Sequence, residues 1–151
     1  MATERFAGFG PHAHDFFVEL AANNSKAWFD EHRSQYQDEI KVPFELLLAE
    51  LEGTYGPGKV FRINRDTRFS KDKSPYKKGQ AAMIPRGAKG SVYLEVSANG
   101  LMAGSGVPHL DAGQLARWRE AVAGPAGEEL EDLIDELAAQ LTAGNHVCIR
   151  G

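Results

Sequence analysis

The sequence predicts an α+β fold in which N-terminal helices and two C-terminal helices pack on a central, mostly antiparallel sheet of about four strands. Two observations carry this. Apolar residues recur at helical spacing through the first fifty residues, alternate with a period of two from Lys59, and return to helical spacing after Asp111. The alternating segments are joined by short turns rather than crossover helices, which is the connection that antiparallel strands use. A chain of 151 residues suits one domain over residues 1–151 and buries roughly 68–70% of its unfolded surface.

The elements follow in order. In HDFFVELAANN, Phe16, Phe17 and Leu20 share one helical face, and Asn23 and Asn24 are residues that tolerate the left-handed backbone closing a helix. A second helix is expected from about Ser25. Its stripe of Trp28, Phe29, Tyr36 and Ile40 continues after Pro43 as Phe44, Leu47, Leu48 and Leu51, with Pro43 in the first turn of a third helix or at a kink. Gly53, Gly56, Pro57 and Gly58 end the helical half.

KVFRINRDTRF, residues 59–69, reads as the first strand, and GQAAMIP, SVYLEVSA and LMAGSGV read as three more. Asn99-Gly100 between the last two predicts a type I′ hairpin turn within residues 97–102. Asp111 with Gln114 makes a capping-box start for a helix carrying Leu115, Trp118 and Val122. A final helix after Gly124-Pro125 has Leu130, Leu133, Ile134, Leu137 and Leu141 on one face and a solvated acidic face opposite. HVCIRG at the end reads as a strand that begins and is cut off.

Composition sets limits on function. The single cysteine, Cys148, leaves no internal disulfide and no cysteine cluster for zinc, which favours a reducing compartment with the cytoplasm as the default. No segment approaches the ~20 apolar residues of a membrane helix, so no membrane partner is expected. A formal charge of −4 argues against a surface built to coat nucleic acid throughout.

Against that background one stretch stands out. Residues 62–78 hold seven Lys/Arg against two Asp, a local +5 that leaves −9 on the rest of the chain. Sorted by strand parity, Phe61, Ile63, Arg65, Thr67 and Phe69 share one face, which is apolar except for Arg65. Arg65 is therefore expected to be buried and paired, with Asp66 or Asp72 as its carboxylate, because an unpaired buried charge costs several kcal/mol. Beyond Phe69 the turn formers Asp72, Ser74 and Pro75 predict a loop, whose backbone N–H groups and lysines suit a bound phosphate or carboxylate.

Arg62, Arg65, Asp66, Arg68, Phe69, Asp72, Lys73 and Tyr76 have the spacing R-x-x-R-D-x-R-F-x-x-D-K-x-x-Y. This run resembles the signature of an uncharacterised bacterial family, domain of unknown function 2461. The flanks NNSKAWFDEHRSQY, SANGLMAGSG and QLARWREAV agree with it. The resemblance carries no established activity. It implies a further C-terminal segment with basic and Pro-Gly elements beyond the point where this chain stops.

The first functional reading is a small-anion site, a binder or an enzyme acting on a phosphorylated or carboxylated ligand. Arg65 and Arg68 would clamp the anion, Lys73 and Lys77 would neutralise it with Arg62 and Tyr76 beside them, and Asp66 or Asp72 would orient a hydroxyl, water or metal. His109 is a candidate general base. The second reading is a nucleic-acid or protein interaction module using the same patch, weakened by having only Phe69 and Tyr76 among the cations. The third is a purely structural network of ion pairs. His12-x-His14-Asp15 lacks a third ligand and reads as a helix start, so no metal is assigned. His32 reads as a hydrogen-bonded interior histidine, Trp28 and Trp118 as core, Asn23, Asn24 and Lys26 as capping residues, and Gly104-Ser105-Gly106 as strand glycines.

Overall fold

Phe16, Phe17 and Leu20 all lie buried on helix α1 (Ala13–Ala22), as their spacing requires. The computed structural model describes residues 5–87, 90–107 and 109–142, in two compact units that divide after residue 108. The expected closing strand at residues 146–151 lies outside the described residues. Asn23, the residue that closes α1, is not left-handed. Asn23 has φ −124°, and its backbone N–H and side-chain amide both donate to the Glu19 carbonyl, at 2.9 and 3.0 Å. Ser25 then caps α2 (Lys26–Glu31) by accepting the Trp28 N–H.

Helix α3 (Arg33–Tyr36) runs into a π-helical turn (Gln37–Lys41) and α4 (Val42–Tyr55). Pro43 explains the junction. It has no N–H to give the carbonyl four residues back, so the Glu39 carbonyl is left open and accepts instead from the Gly10 N–H at 2.9 Å. The Glu39 carboxylate takes the His12 N–H at 2.7 Å, which straps the N-terminal segment to the turn. Gly10 is needed there, since a Cβ would stand 2.3 Å from Glu39 Cγ.

The sheet is antiparallel throughout, in the order β1 (Lys59–Val60), β2 (Gly79–Pro85), β3 (Ser91–Ser97) and β4 (Gly100–Gly106). Ala82 pairs with Leu94 and Ile84 with Val92, so the alternation puts these residues on the face that joins Phe29, Ile40, Phe44 and Leu48 in the core. β4 lies at the edge and is exposed along nearly its whole length. The β3–β4 hairpin falls within residues 97–102, but its two turn residues are Ala98 and Asn99, because Ser97 pairs with Gly100. Positive φ is found at Gly100 (97°), the strand residue just after the turn and paired with Ser97. His14 Nε2 lies 2.8 Å from the Ala98 carbonyl and ties α1 to this turn.

The first strand is much shorter than the predicted 59–69. Val60 pairs with Ala82, yet Asn64 bridges Tyr76, so four steps on one side are matched by six on the other. The ladder breaks there, and the Gln80 amide reaches the Phe61 carbonyl. Past Arg65 the Asp66 carboxylate accepts the Arg68 N–H, a local bond that competes with strand pairing and turns the chain. Exposure still alternates from Arg62 to Arg68, with Ile63 buried, but the pattern fails at Phe69, which is 97% exposed instead of sharing the apolar face.

The second unit contains α5 (Ala112–Val122) and α6 (Pro125–Thr142), which pack on each other. The Asp111–Gln114 capping box is formed reciprocally at 2.8 and 2.9 Å. Trp118, expected in the core, is 49% exposed. No helix among the described residues is long and apolar enough to cross a membrane.

Candidate functional site

The broken ladder leaves an arm, residues 61–65 against 75–77, standing beside the helical layer. Its own bonds are Arg65 N–H to the Pro75 carbonyl (2.8 Å) and Lys77 N–H to the Ile63 carbonyl (2.9 Å). Asn24, expected as a cap, clamps the arm from the α1–α2 corner, its amide donating to the Tyr76 carbonyl at 2.9 Å and accepting the Tyr76 N–H at 3.0 Å. The Tyr76 ring is buried and stacks on Phe29 with centroids 4.1 Å apart, a contact of about 0.5–1.5 kcal/mol beyond its area.

Most of the basic segment is engaged with itself. Arg65, whose side chain is 26% exposed, pairs with Asp72 and approaches the Ser70 hydroxyl at 3.4 Å. Arg68 grips Asp66 with Nε at 3.0 Å and Nη2 at 2.6 Å. Lys73 Nζ donates to the Thr67 carbonyl at 2.9 Å, and Lys77 Nζ donates to the Arg62 carbonyl at 2.8 Å. Arg65 and Arg68 thus each face their own carboxylate instead of converging as a clamp. Asp66 and Asp72, considered for orienting a hydroxyl or water, are the partners of those arginines. His109 is exposed and belongs to the second unit.

Arg62 and Tyr76 do reach a cavity. A cleft of about 230 Å³ lies between the arm and the helices, lined by Arg33, Gln37 and Lys41 on one side and Arg62 and Asn64 on the other. Phe29, Tyr36, Ile63 and Tyr76 complete its lining. Three cations and two amides therefore meet in one concavity whose lining contains no carboxylate. Arg33 is braced by Asp30 and lies 5.4 Å over the Phe29 ring, while Lys41 Nζ is 3.8 Å from Glu45. Arg33, Gln37 and Lys41 come at four-residue steps, a spacing visible in the sequence. What faces them is set by pairing across the chain, and that carries no local signal. Beneath the cleft the Tyr36 hydroxyl donates to Gln80 at 2.7 Å; burial first, then the Glu45 charge, pushes its pKa up to about 12.

His12 and His14 bond Glu39 and Asp15, at 3.2 Å each, and no group of three or more His, Cys, Asp or Glu is placed to hold a metal among the described residues. His32 stacks on Trp28 and bonds its carbonyl at 2.8 Å.

A family model described as "Conserved hypothetical protein (DUF2461)" matches residues 12–147. The chain belongs to this family. No curated protein and no solved structure matches it. The match covers the helices, the arm and the sheet of this family member, so its cleft lies wholly within the matched region.

The loop has a calculable acid response. Ser74 and then Arg65 hold the Asp72 carboxyl well below its usual range, and the Arg68 side chain and N–H lower that of Asp66. A depressed folded-state pKa contributes stability above the ordinary value of 3.8 and loses it as pH falls through the lower folded one. The Arg68 and Ser74 amide resonances are expected to keep their folded positions down to pH 3.8 and to shift only below it. Midpoints at 3.8 would mean that the pairs do not persist in solution.

Proposed function

We propose that this domain binds a small phosphorylated or carboxylated anion in the cleft between Arg33–Lys41 and Arg62. The observation that carries the reading is the convergence of Arg33, Lys41 and Arg62, from segments far apart in the chain, on one carboxylate-free concavity. Guanidinium groups match planar or tetrahedral oxyanions by fork geometry, Lys41 adds a point charge, and Gln37 and Asn64 supply neutral donors. Arg65, Arg68, Lys73 and Lys77 serve the site indirectly by bracing the loop and arm that carry Arg62.

Thermal shift with inorganic phosphate and with a small dicarboxylate tests the reading. At a hundred times the dissociation constant, the better anion should stabilise the protein by about 2.7 kcal/mol. Arg62→Ala and Lys41→Ala should each remove that gain and leave the unliganded protein folded, because both side chains are at least partly exposed. Melting temperatures that no anion moves would overturn it. The basic segment would then be a structural ion-pair network, the reading favoured by the Arg65–Asp72 and Arg68–Asp66 pairs.

A further inference from the structure

β4 is a sheet edge without the usual protection. Natural edge strands carry charges, prolines or bulges that discourage pairing with another chain. Residues 97–107 hold no Lys, Arg, Asp, Glu or Pro, and the pairing of β4 with β3 runs from Ser97–Gly100 to Ser91–Gly106 without a bulge. Leu101 is 63% exposed and Met102 is 52% exposed, so the strand shows two large apolar side chains, one on each face of the sheet.

The backbone of this edge is open in a fixed pattern. Arg86 N–H donates to the Gly90 carbonyl at 2.8 Å in the register of β2 with β3, so Val92, Leu94 and Val96 turn their hydrogen-bonding groups to β2 and the residues between them turn to β4. On β4 the partners of those residues are Gly100, Met102, Gly104 and Gly106, which leaves Leu101, Ala103 and Ser105 directing N–H and C=O outward. The side chains have a matching asymmetry. Gly104 and Gly106 leave a hollow of about 320 Å³ against Met83 and Tyr93, on the face that carries Met102. A second hollow of about 320 Å³ lies at Ala103 and Ser105 beside Tyr55, Arg86 and Val92, on the face that carries Leu101.

We propose that two copies of this chain associate through β4, antiparallel about a two-fold axis at Ala103, to make one sheet continuous across both. In that register Leu101 opposes the partner's Ser105 and Met102 opposes the partner's Gly104. Each protruding side chain meets a hollow, and all three outward residues find backbone partners. The charges agree with this. An uncharged edge spares two copies, each of formal charge −4, a like-charge contact. Its two ends are also complementary. Arg86 lines the hollow at Ser105, lies over the Tyr55 ring and pairs with no carboxylate among the described residues. At the other end Asp15 sits beside His14, which bonds the Ala98 carbonyl at 2.8 Å. The two-fold brings the Arg86 end of one copy to the Asp15 end of the other.

Sedimentation equilibrium of the whole chain should show dimers whose share grows with concentration. Ala103 faces its own copy across the axis, so Ala103→Lys and Ala103→Glu should each weaken dimerisation at least about tenfold by setting like charges opposite each other. An equal mixture of the two variants should associate at least about tenfold more tightly than either alone. Both changes fall on an exposed side chain, and thermal melting of dilute samples checks that each variant is folded. In concentrated parent protein, amide exchange should slow at Leu101, Ala103 and Ser105 and not at Met102 and Gly104, which already bond β3. A chain that remains monomeric at about 1 mM overturns the proposal. So does a mixture that associates no more tightly than its components. Dimers that Ala103→Lys leaves intact also overturn it, and place the contact elsewhere, such as at the exposed Leu133 and Leu137 of α6.

Discussion

Gln80→Leu is expected to destabilise the protein by about 2–5 kcal/mol, a large share of the 5–15 kcal/mol typical of a domain. Gln80 is 1% exposed and is the point at which the helical layer, the arm and the sheet are joined. Its carbonyl accepts the Tyr36 hydroxyl at 2.7 Å, and its amide donates to the Phe61 carbonyl at 2.5 Å and the Ala81 carbonyl at 3.0 Å. Leucine fills similar space and satisfies none of these groups. The loss of buried partners dominates, since each orphaned polar group costs about 1–3 kcal/mol. Tyr36→Phe alone should cost about 1–2 kcal/mol, and the double variant less than the two separately, because both act on one bond. Urea unfolding measures all three. A Gln80→Leu protein within about 0.5 kcal/mol of the parent, the range of ordinary surface substitutions, would show that the buried amide does not hold the break in the ladder.

Asn24→Ala is expected to cost about 2–4 kcal/mol, because it strands both the N–H and the carbonyl of Tyr76 at a partly buried position. Asn23→Ala is the control. Asn23 bonds only the end of its own helix, so its loss should cost about 0.5–1.5 kcal/mol. The larger effect should be local as well as global. Arg65 and Lys77 amides, whose partners are the Pro75 and Ile63 carbonyls, should exchange faster in Asn24→Ala while β2 and β3 amides change only with global stability. Equal costs for the two asparagines would show that the clamp contributes nothing.

These two positions also mark where local reading of the chain stops. Asn24 looks like a helix-closing residue because asparagine favours that role, and nothing near it in sequence announces Tyr76, 52 residues away. Gln80 sits inside a well-formed strand pattern, where its alternation says only that it faces the core. Phe69 continues the parity of Ile63, and the Asp66–Arg68 bonds turn the chain before it. Trp118 has the spacing of a core residue in α5 and remains half exposed.

Local patterns along the chain specify the α+β class, the succession of helices and strands, the hairpin within residues 97–102, the Asp111 capping box and the cationic surplus of residues 62–78. Each is written in periodicity, turn chemistry or charge, which act over a few residues and are readable wherever they occur. Which partners the surplus finds is set by pairing between distant segments. Two aspartates and several backbone carbonyls compete for the same cations, and the winners are set by a ladder that slips between Val60 and Asn64. That slip sends Arg65 and Arg68 to their own carboxylates and turns Arg62 toward Arg33 and Lys41. A cleft made from segments this far apart depends on pairing free energies summed over the whole fold, and no local window of the chain contains them.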